Sequence, residues 1–512
     1  MKPIRLASGL FTVGMWTMLS RVLGFVRDAM ILAWLGTGPA YEAYVVAFRL
    51  PNMFRRFFAE GAFNMAFVPM FSKKLEGGED AEGFASQAMS GLAMVLILLT
   101  LVAQLFMPWL ILALASGFAG QAQFPLAVDF GRIAFPYILF ISLAALLSGV
   151  LNASGRFAAA AAAPVLLNVL LVASMGIGIL VGGDVAQWLI WAIPVAGVAQ
   201  MVLVWTAVGR AGLRIRPRRP RLTPEMKRLV RIAIPACLAG GVVQINLLVG
   251  QQVASYFDRA VGWLYAADRL YQLPLGVVGI AVGVVLLPDL SRRLKARDDS
   301  GARHALSRAG EISLALTIPC AVALVVIPLP LVAVLFERGA TTRTDSEAIA
   351  MAVAIYGLGL PAFVLQKILQ PLFFAREDTR RPFYYALVAM GVNAVIAVGL
   401  APMMGWLATA LATTAAGWAM VGLLVRGSRG MGEVARFDAQ FRRRIWRITA
   451  AALIMGAALW PGYMVLHGWL NTAGLRYLAV LLLILWGSAV YFGAGQLIGA
   501  FRLKDFRAAV RR

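Results

Sequence analysis

Fourteen apolar segments, each about 20 residues or longer, follow one another along the chain, and this leaves few folds open. Crossing a hydrocarbon layer about 30 Å thick takes about 20 helical residues. Inside lipid every backbone N–H and C=O must be paired within the protein, so segments of this length span as helices. Their approximate limits are 8–36, 40–71, 85–114, 126–152, 157–182, 187–210, 228–256, 261–290, 305–336, 346–375, 382–401, 403–425, 445–467 and 475–500. The closely spaced pair within 382–425 is where one helix is most easily mistaken for two. A composition of 61% hydrophobic and 14% charged residues lies outside soluble usage, so the expected fold class is an all-α polytopic membrane protein. Lys2 and Arg5 precede the first segment as in a secretory signal. No small-x-small cleavage site closes it, however, and it runs on through Arg21 and Arg27, so it reads as a retained first helix.

Short-loop cations set the orientation. Loops after even-numbered segments carry Lys73 and Lys74, Arg156, the arginines of 210–221, Arg292 and Arg293, and those of 376–381 and 426–444. Odd-numbered loops carry only Arg259, Arg338, Arg343 and Arg476, so both termini are expected in the cytoplasm. This asymmetry, with attraction to anionic membrane lipids, accounts for much of the +23 net charge without nucleic-acid binding. Cys237 and Cys320 each follow an Ile-Pro pair in an apolar run and read as packing residues. His304 and His467 are the two histidines and lie far apart, so no metal site, cofactor or histidine-based catalytic site is expected, and the chain does not read as an enzyme.

Two stretches resemble each other: AFRLPNMFRRFFAEGAFNMAFVPMFSKKL at 47–75 and AADRLYQLPLGVVGIAVGVVLLPDLSRRL at 266–294. Each has Arg-Leu near its start, a later proline and a Ser-basic-basic-Leu ending, at an offset of about 220 residues. Six segments per repeat is an even number, so the copies enter from the same side, related by an axis along the membrane normal. The expected domains are an N-lobe, 1–215, a C-lobe, 216–432, and a C-terminal addition, 433–512, of two extra helices and a basic tail. The lobes would face each other across a V-shaped central cavity, joined by the basic segment 210–228. Chance similarity between apolar helices is the competing explanation.

An ionisable group at the bilayer centre costs about 2.5–3.5 kcal/mol even on lenient scales, so each must face a partner or water. Segment 1 carries Arg21, Arg27 and Asp28; segment 2 carries Glu42, Arg49, Arg55, Arg56 and Glu60; segment 8 carries Asp268 and Arg269; segment 10 carries Lys367. Structural readings compete for several of them. Arg56 and Glu60, four residues apart, fit a salt bridge; Glu42 fits a wet outer helix end; Lys367 fits snorkelling. Arg21, Arg27, Arg55 and Arg269 lie deeper, outnumber the nearby carboxylates and form the candidate substrate-binding set. Guanidinium groups match phosphate oxygens bidentately and stay charged, so the fitting guest is a phosphate or pyrophosphate. Gly24 and the Arg49-Leu50-Pro51 break provide candidate bends, and Gly276, Gly279 and Gly283 give a small-residue face suited to close helix contact.

The stretches SRVLGFVRDAMI, AFRLPNMFRRFFAEGAFNMAFVPMFS and YAADRLYQLPLGVVGIAVGVVLLPDLS resemble signature segments of the MurJ (MviN) lipid II flippases of the MOP exporter superfamily. The resemblance extends over essentially the whole chain. It implies transport of lipid II, the undecaprenyl-pyrophosphate-linked disaccharide-pentapeptide, to the outer leaflet of the bacterial cytoplasmic membrane for peptidoglycan synthesis, alongside the cell-wall synthesis machinery. It assigns the essential cavity arginines to Arg21, Arg27, Arg55 and Arg269, and the outer acidic position to Glu42, where relatives often have Asp. Gating or charge-balancing roles fall to Gly24, Asp28, Glu42, Arg49, Arg56, Glu60, Asp268 and Lys367. Gln272 stands where many relatives have Glu, so a charge pairing proposed there cannot apply. The last two helices would supply a groove for the polyprenyl tail.

Some relatives coordinate sodium through carboxylates on helices 7, 11 and 12, but the corresponding segments here have no Asp or Glu in their interiors, only neutral groups such as Asn246 and Asn393. That disfavours a dedicated sodium site and leaves membrane potential acting on a cationic cavity. A flippase for another polyprenyl-pyrophosphate-linked polysaccharide would share such a cavity. A multidrug exporter would instead present carboxylates to cationic drugs.

Overall fold

The computed structural model describes residues 6–55, 62–281, 286–472 and 474–500. Among them only helices, short 3-10 turns and loops occur. Nine helices form the first run: α1 (Leu6–Leu35), α2 (Pro39–Arg55), α3 (Ala62–Glu76), α4 (Ala81–Leu105), α5 (Met107–Leu114), α6 (Gln123–Ala134), α7 (Tyr137–Ala153), α8 (Ala158–Val181) and α9 (Val185–Arg210). Eight more follow: α10 (Pro224–Ala254), α11 (Ala260–Ala281), α12 (Leu287–Lys295), α13 (Asp299–Val326), α14 (Pro328–Phe336), α15 (Arg343–Phe374), α16 (Arg380–Met404) and α17 (Leu407–Ser428). The chain closes with α18 (Ala439–Leu470) and α19 (Leu475–Ile498).

Ten of the described helical stretches are long and apolar enough to cross a membrane. They answer to the predicted segments from 85–114 to 187–210 and from 305–336 to 475–500. The other four predicted segments fall on α1, α2 with α3, α10, and α11 with α12. The doubtful pair in 382–425 is two helices, α16 and α17, packed on each other around a turn at Gly405, whose φ of 59° suits glycine. Large apolar side chains lie fully outward on these helices, Leu105 at 76% exposure among them. A soluble monomer does not leave such a surface in water, whereas lipid solvates it.

The element starts repeat. Leu6 and Pro224, Pro39 and Ala260, Ala62 and Leu287, Ala81 and Asp299, Met107 and Pro328, Gln123 and Arg343, Ala158 and Arg380, and Val185 and Leu407 are each about 220 residues apart. Even the short α5 and α14 correspond, each with a proline in its first turn. The similarity of 47–75 to 266–294 is therefore one part of a register that runs from α1 to α17. The copies differ where α6 and α7 are separated at Phe135–Pro136 while α15 continues through Pro361. α18 and α19 stand outside the register.

Contacts divide the chain into two compact units, Met1–Gly262 with Gly339–Thr341, and Trp263–Arg338 with Thr342–Arg512. In the first, α8 packs on α1 and α9, α7 on α9, and α2 on α6, while α10 lies against α3 and α5. In the second, α15 packs on α13 and α17, and α18 lies between α13 and α19. Ala451, Ala452, Met455 and Leu459 of α18 join Ala315 and Leu483 in one buried cluster. At one end of that contact Glu311 of α13, 7% exposed, pairs with Arg308 and with Arg444 of α18, and Arg308 holds both oxygens of Asp438 at 2.8 Å.

Helix starts are set by short polar side chains that accept orphan first-turn amides. Asp80 accepts from Gly83 N–H at 2.7 Å and Asp298 from Gly301 N–H at 2.8 Å; Thr342 and Asp345 form a full capping box on α15.

Candidate functional site

α1 carries the first charged group in an unbroken helix. Arg27 and Asp28 are 7% and 6% exposed. The Arg27 guanidinium donates through Nε and Nη2 to Asp28 Oδ1 at 2.9 and 2.6 Å, and through Nη1 to Asn168 Oδ1 of α8 at 2.8 Å. Asn168 in turn donates to Ser20 O at 2.9 Å, so one amide satisfies both α1 and its arginine. The expected counter-charge, Asp28, thus sits on Arg27. Gly24 lies inside the continuous helix, and a Cβ there would stand 3.5 Å from Asn168 Nδ2. Arg21 is exposed and forms no ion pair among the described residues. Asn168 is a group the sequence reading missed. Its signal is a lone amide in the apolar run VLLNVLL, which is costly unless used.

α2 runs through Pro51 and supplies Glu42, Arg49 and Arg55. Glu42 is 1% exposed, which overturns its reading as a wet helix end. Its Oε1 accepts the Val261 and Gly262 amides at 3.0 and 3.4 Å, in the first turn of α11. A carboxylate there answers both the orphan N–H groups and the positive end of the helix dipole. Gly262 permits the approach: a Cβ would lie 3.0 Å from Tyr41 Cδ1. Beside it the segment 339–341 is bonded to the end of α1, Thr341 Oγ1 to Leu32 O at 2.7 Å and Ala340 N–H to Ala33 O at 2.8 Å.

Arg49 donates to Gln251 near the end of α10, and Gln251 donates onward to Leu114 O at 3.1 Å. Its neighbour Gln252 accepts the Ser116 amide and hydroxyl, both at 2.8 Å, and Ser255 Oγ accepts the Gly117 amide at 3.0 Å. α10 thus pins the end of α5. Arg55 is half-buried in the last turn of α2. Arg56 and Glu60 lie outside the described residues, as do Gly283 and the side chain of Cys237.

In the second unit Arg269 is half-buried, donates to the Tyr265 hydroxyl and stands 4.4 Å over the Tyr265 ring. An aromatic four residues before an arginine on one helix face is the legible signal for that pair. Asp268 accepts from Gln272. Lys367 is exposed, without an ion pair among the described residues. Among these residues no group of three or more His, Cys, Asp or Glu side chains is placed to hold a metal ion.

An all-helical, internally duplicated membrane protein with guanidinium groups set into apolar helices has the architecture of the MOP-superfamily transporters. A multidrug resistance MATE family transporter of that superfamily, solved in an inward-facing conformation, matches with a TM-score of 0.63 at 14% identity, over 82% of this chain and 96% of that one. A lipid II flippase MurJ in an inward closed conformation matches with a TM-score of 0.80 at 23% identity, over 98% of this chain and 99% of that one. In sequence, the family described as lipid II flippase MurJ matches residues 31–482. A probable lipid II flippase MurJ of Rhizobium meliloti (strain 1021) is 45% identical over 511 residues, 98% of this chain and 95% of the relative. The chain belongs to the lipid II flippase MurJ family.

Proposed function

We propose that this protein is a lipid II flippase of the bacterial cytoplasmic membrane, with both termini in the cytoplasm. It moves the undecaprenyl-pyrophosphate-linked peptidoglycan precursor from the cytoplasmic to the periplasmic leaflet by alternating access of two repeats, residues 1–215 and 216–432, with 433–512 as an addition that receives the lipid tail. One observation carries the reading: the family match spans residues 31–482 of a chain whose apolar helices hold guanidinium groups.

In this reading Arg21, Arg27, Arg55 and Arg269 bind the pyrophosphate. Arg21 and the half-buried Arg55 and Arg269 meet it first, because the Arg27 guanidinium is engaged by Asp28 and Asn168. A phosphate can replace a carboxylate on an arginine fork with little change in geometry. Arg27 therefore joins the substrate by exchanging Asp28, and the exchange links headgroup binding to the α1–α8 contact. Membrane potential acting on the excess cavity charge resets the carrier.

The test is a leaflet-accessibility assay for lipid II in cells whose only copy carries Arg27→Ala or Arg269→Ala, with membrane abundance measured in parallel. Both variants are expected to reach the membrane and to leave lipid II in the inner leaflet. Normal flipping by both would sink the proposal.

A further inference from the structure

The segment joining α9 to α10 has the composition of a loose linker, RAGLRIRPRRPRLTP, but it is not held as one. It lies extended along the first turns of α4, fixed by its backbone. The Arg216 amide donates to Ser86 Oγ at 3.2 Å, the Arg218 amide to Ser90 Oγ at 2.8 Å and the Arg221 amide to Gln87 Oε1 at 3.1 Å. Pro217 and Pro220 fall between these donors, where no N–H is used, and hold φ near an extended value. Ile215, 3% exposed, anchors the start and Thr223 caps α10 at the finish.

Pinning the backbone sends the side chains outward. Arg214, Arg216, Arg218, Arg219 and Arg221 are all exposed, and none makes an ion pair among the described residues. No Asp or Glu occurs between residues 185 and 224. The nearby acids offer little competition: Glu79 and Glu225 are both taken by Lys74, at 2.8 and 2.7 Å, and Glu76 and Glu82 belong to the adjoining helix ends. At 1.5 Å per residue, Ser86 and Ser90 lie about 7 and 13 Å along α4 from its start, so the strap runs beside the first turns of a helix long and apolar enough to span. Leu222, 76% exposed, projects beside the arginines.

We infer that this strap is a preformed binding surface for anionic phospholipid headgroups of the cytoplasmic leaflet. Four to eight cations beside a spanning helix attract anionic lipid, and guanidinium groups take phosphate bidentately. The backbone bonds to α4 remove in advance much of the ordering cost that a flexible basic loop meets on binding. Its arginines are exposed, so it reads charge and not headgroup shape, and the abundant bulk anionic lipid fills it ahead of scarcer pyrophosphate lipids.

The experiment titrates the delipidated full-length chain in detergent with phosphatidylglycerol and counts retained lipids by native mass spectrometry, with phosphatidylethanolamine as the zwitterionic control. Replacing Arg216, Arg218, Arg219 and Arg221 together by Gln is expected to weaken phosphatidylglycerol retention at least tenfold, while Arg442→Gln with Arg443→Gln leaves it within twofold. Ser86→Ala with Gln87→Ala and Ser90→Ala keeps every charge but removes all three acceptors that pin the strap, and is expected to weaken retention severalfold. Unchanged retention in the strap variant, an equal loss in the Arg442/Arg443 control, full retention after unpinning, or a larger loss of undecaprenyl pyrophosphate than of phosphatidylglycerol on replacing the strap arginines would each overturn the inference. It does not depend on which lipid the protein transports.

Discussion

Replacing Glu42 by Ala removes the acceptor of two amides at the start of α11 and offers no water in exchange, because the site is 1% exposed. A buried donor left unmade costs about 1–3 kcal/mol. Counting the 3.0 Å bond in full and the 3.4 Å bond as about half gives a loss of about 2–4 kcal/mol in the closure of that helix end. Glu42→Gln keeps a neutral oxygen in reach and gives up the charge assistance and the dipole contribution, about 1 kcal/mol. Hydrogen exchange of a peptide covering 257–266 reads this directly, since each 1.4 kcal/mol changes the opening equilibrium tenfold. The Val261 and Gly262 amides should exchange about 30-fold or more faster in Glu42→Ala, and less than about tenfold faster in Glu42→Gln. Unchanged protection in the alanine variant would show that the cap is not what holds this end. Equal losses in both variants would show that the negative charge, and not the acceptor oxygen, is what matters.

Glu311→Ala leaves the Arg308 and Arg444 guanidiniums facing each other where α13 meets α18; breaking a buried pair costs about 3–5 kcal/mol, and partial exposure of both arginines reduces this to about 2–3. Thermal unfolding of the purified chain in detergent should fall accordingly, and Arg444→Ala in the same background should recover part of the loss. The Gly301 amide, with Ser300 and Arg293, holds the Asp298 carboxyl below its ordinary 3.8. A lowered folded pKa stabilises above the ordinary value and the contribution disappears as pH falls through the lowered one, so first-turn amides of α13 should lose protection only below about pH 4. Asp298→Asn, which keeps the cap without the titration, should abolish that acid limb. In proteoliposomes, lipid II uptake should respond to an imposed potential at about 2.3 kcal/mol per translocated charge per 100 mV; strict sodium dependence with no response to potential would refute the coupling proposed above.

The helices were legible because a membrane imposes a length, and α16 and α17 were separable from sequence only by a two-residue Gly-Trp turn. The duplication was visible at 47–75 because charged and proline landmarks survive there. It was hidden at α5 and α14, where MPWLILAL and PLPLVAVLF share little beyond apolarity and an early proline. At the site, the charged residues declared themselves by their cost in hydrocarbon, and Asp28 beside Arg27 could be paired by adjacency. Their remote partners could not. Nothing local connects Glu42 to amides about 220 residues away, or Arg27 to an amide on α8, because these contacts exist only once the helices have packed. Neutral partners such as Asn168, Gln251 and Tyr265 are also cheaper than charges, and so stand out less in an apolar segment.

A chain that repeats itself about every 220 residues carries two sets of interchangeable apolar faces, and such repeats are prone to pair with the wrong copy while they assemble. Packing alone discriminates weakly between one alanine-rich helix and its duplicate. Among the described residues, the polar side chains that bridge neighbouring helices differ between the two units. In the first unit α8 meets its neighbours through Gln200 to Ala163 O and Ser174 to Trp188 O, and it meets α1 through Asn168. In the second, α17 meets α15 through Thr414 to Ile355 O and Gln366 to Gly417 O. Each donor is placed to reach a carbonyl of its own partner, and a swapped helix that presented none there would leave an amide or hydroxyl orphaned in lipid. These side chains serve as addresses, and they let two halves with one architecture assemble from a single polypeptide without being mistaken for each other.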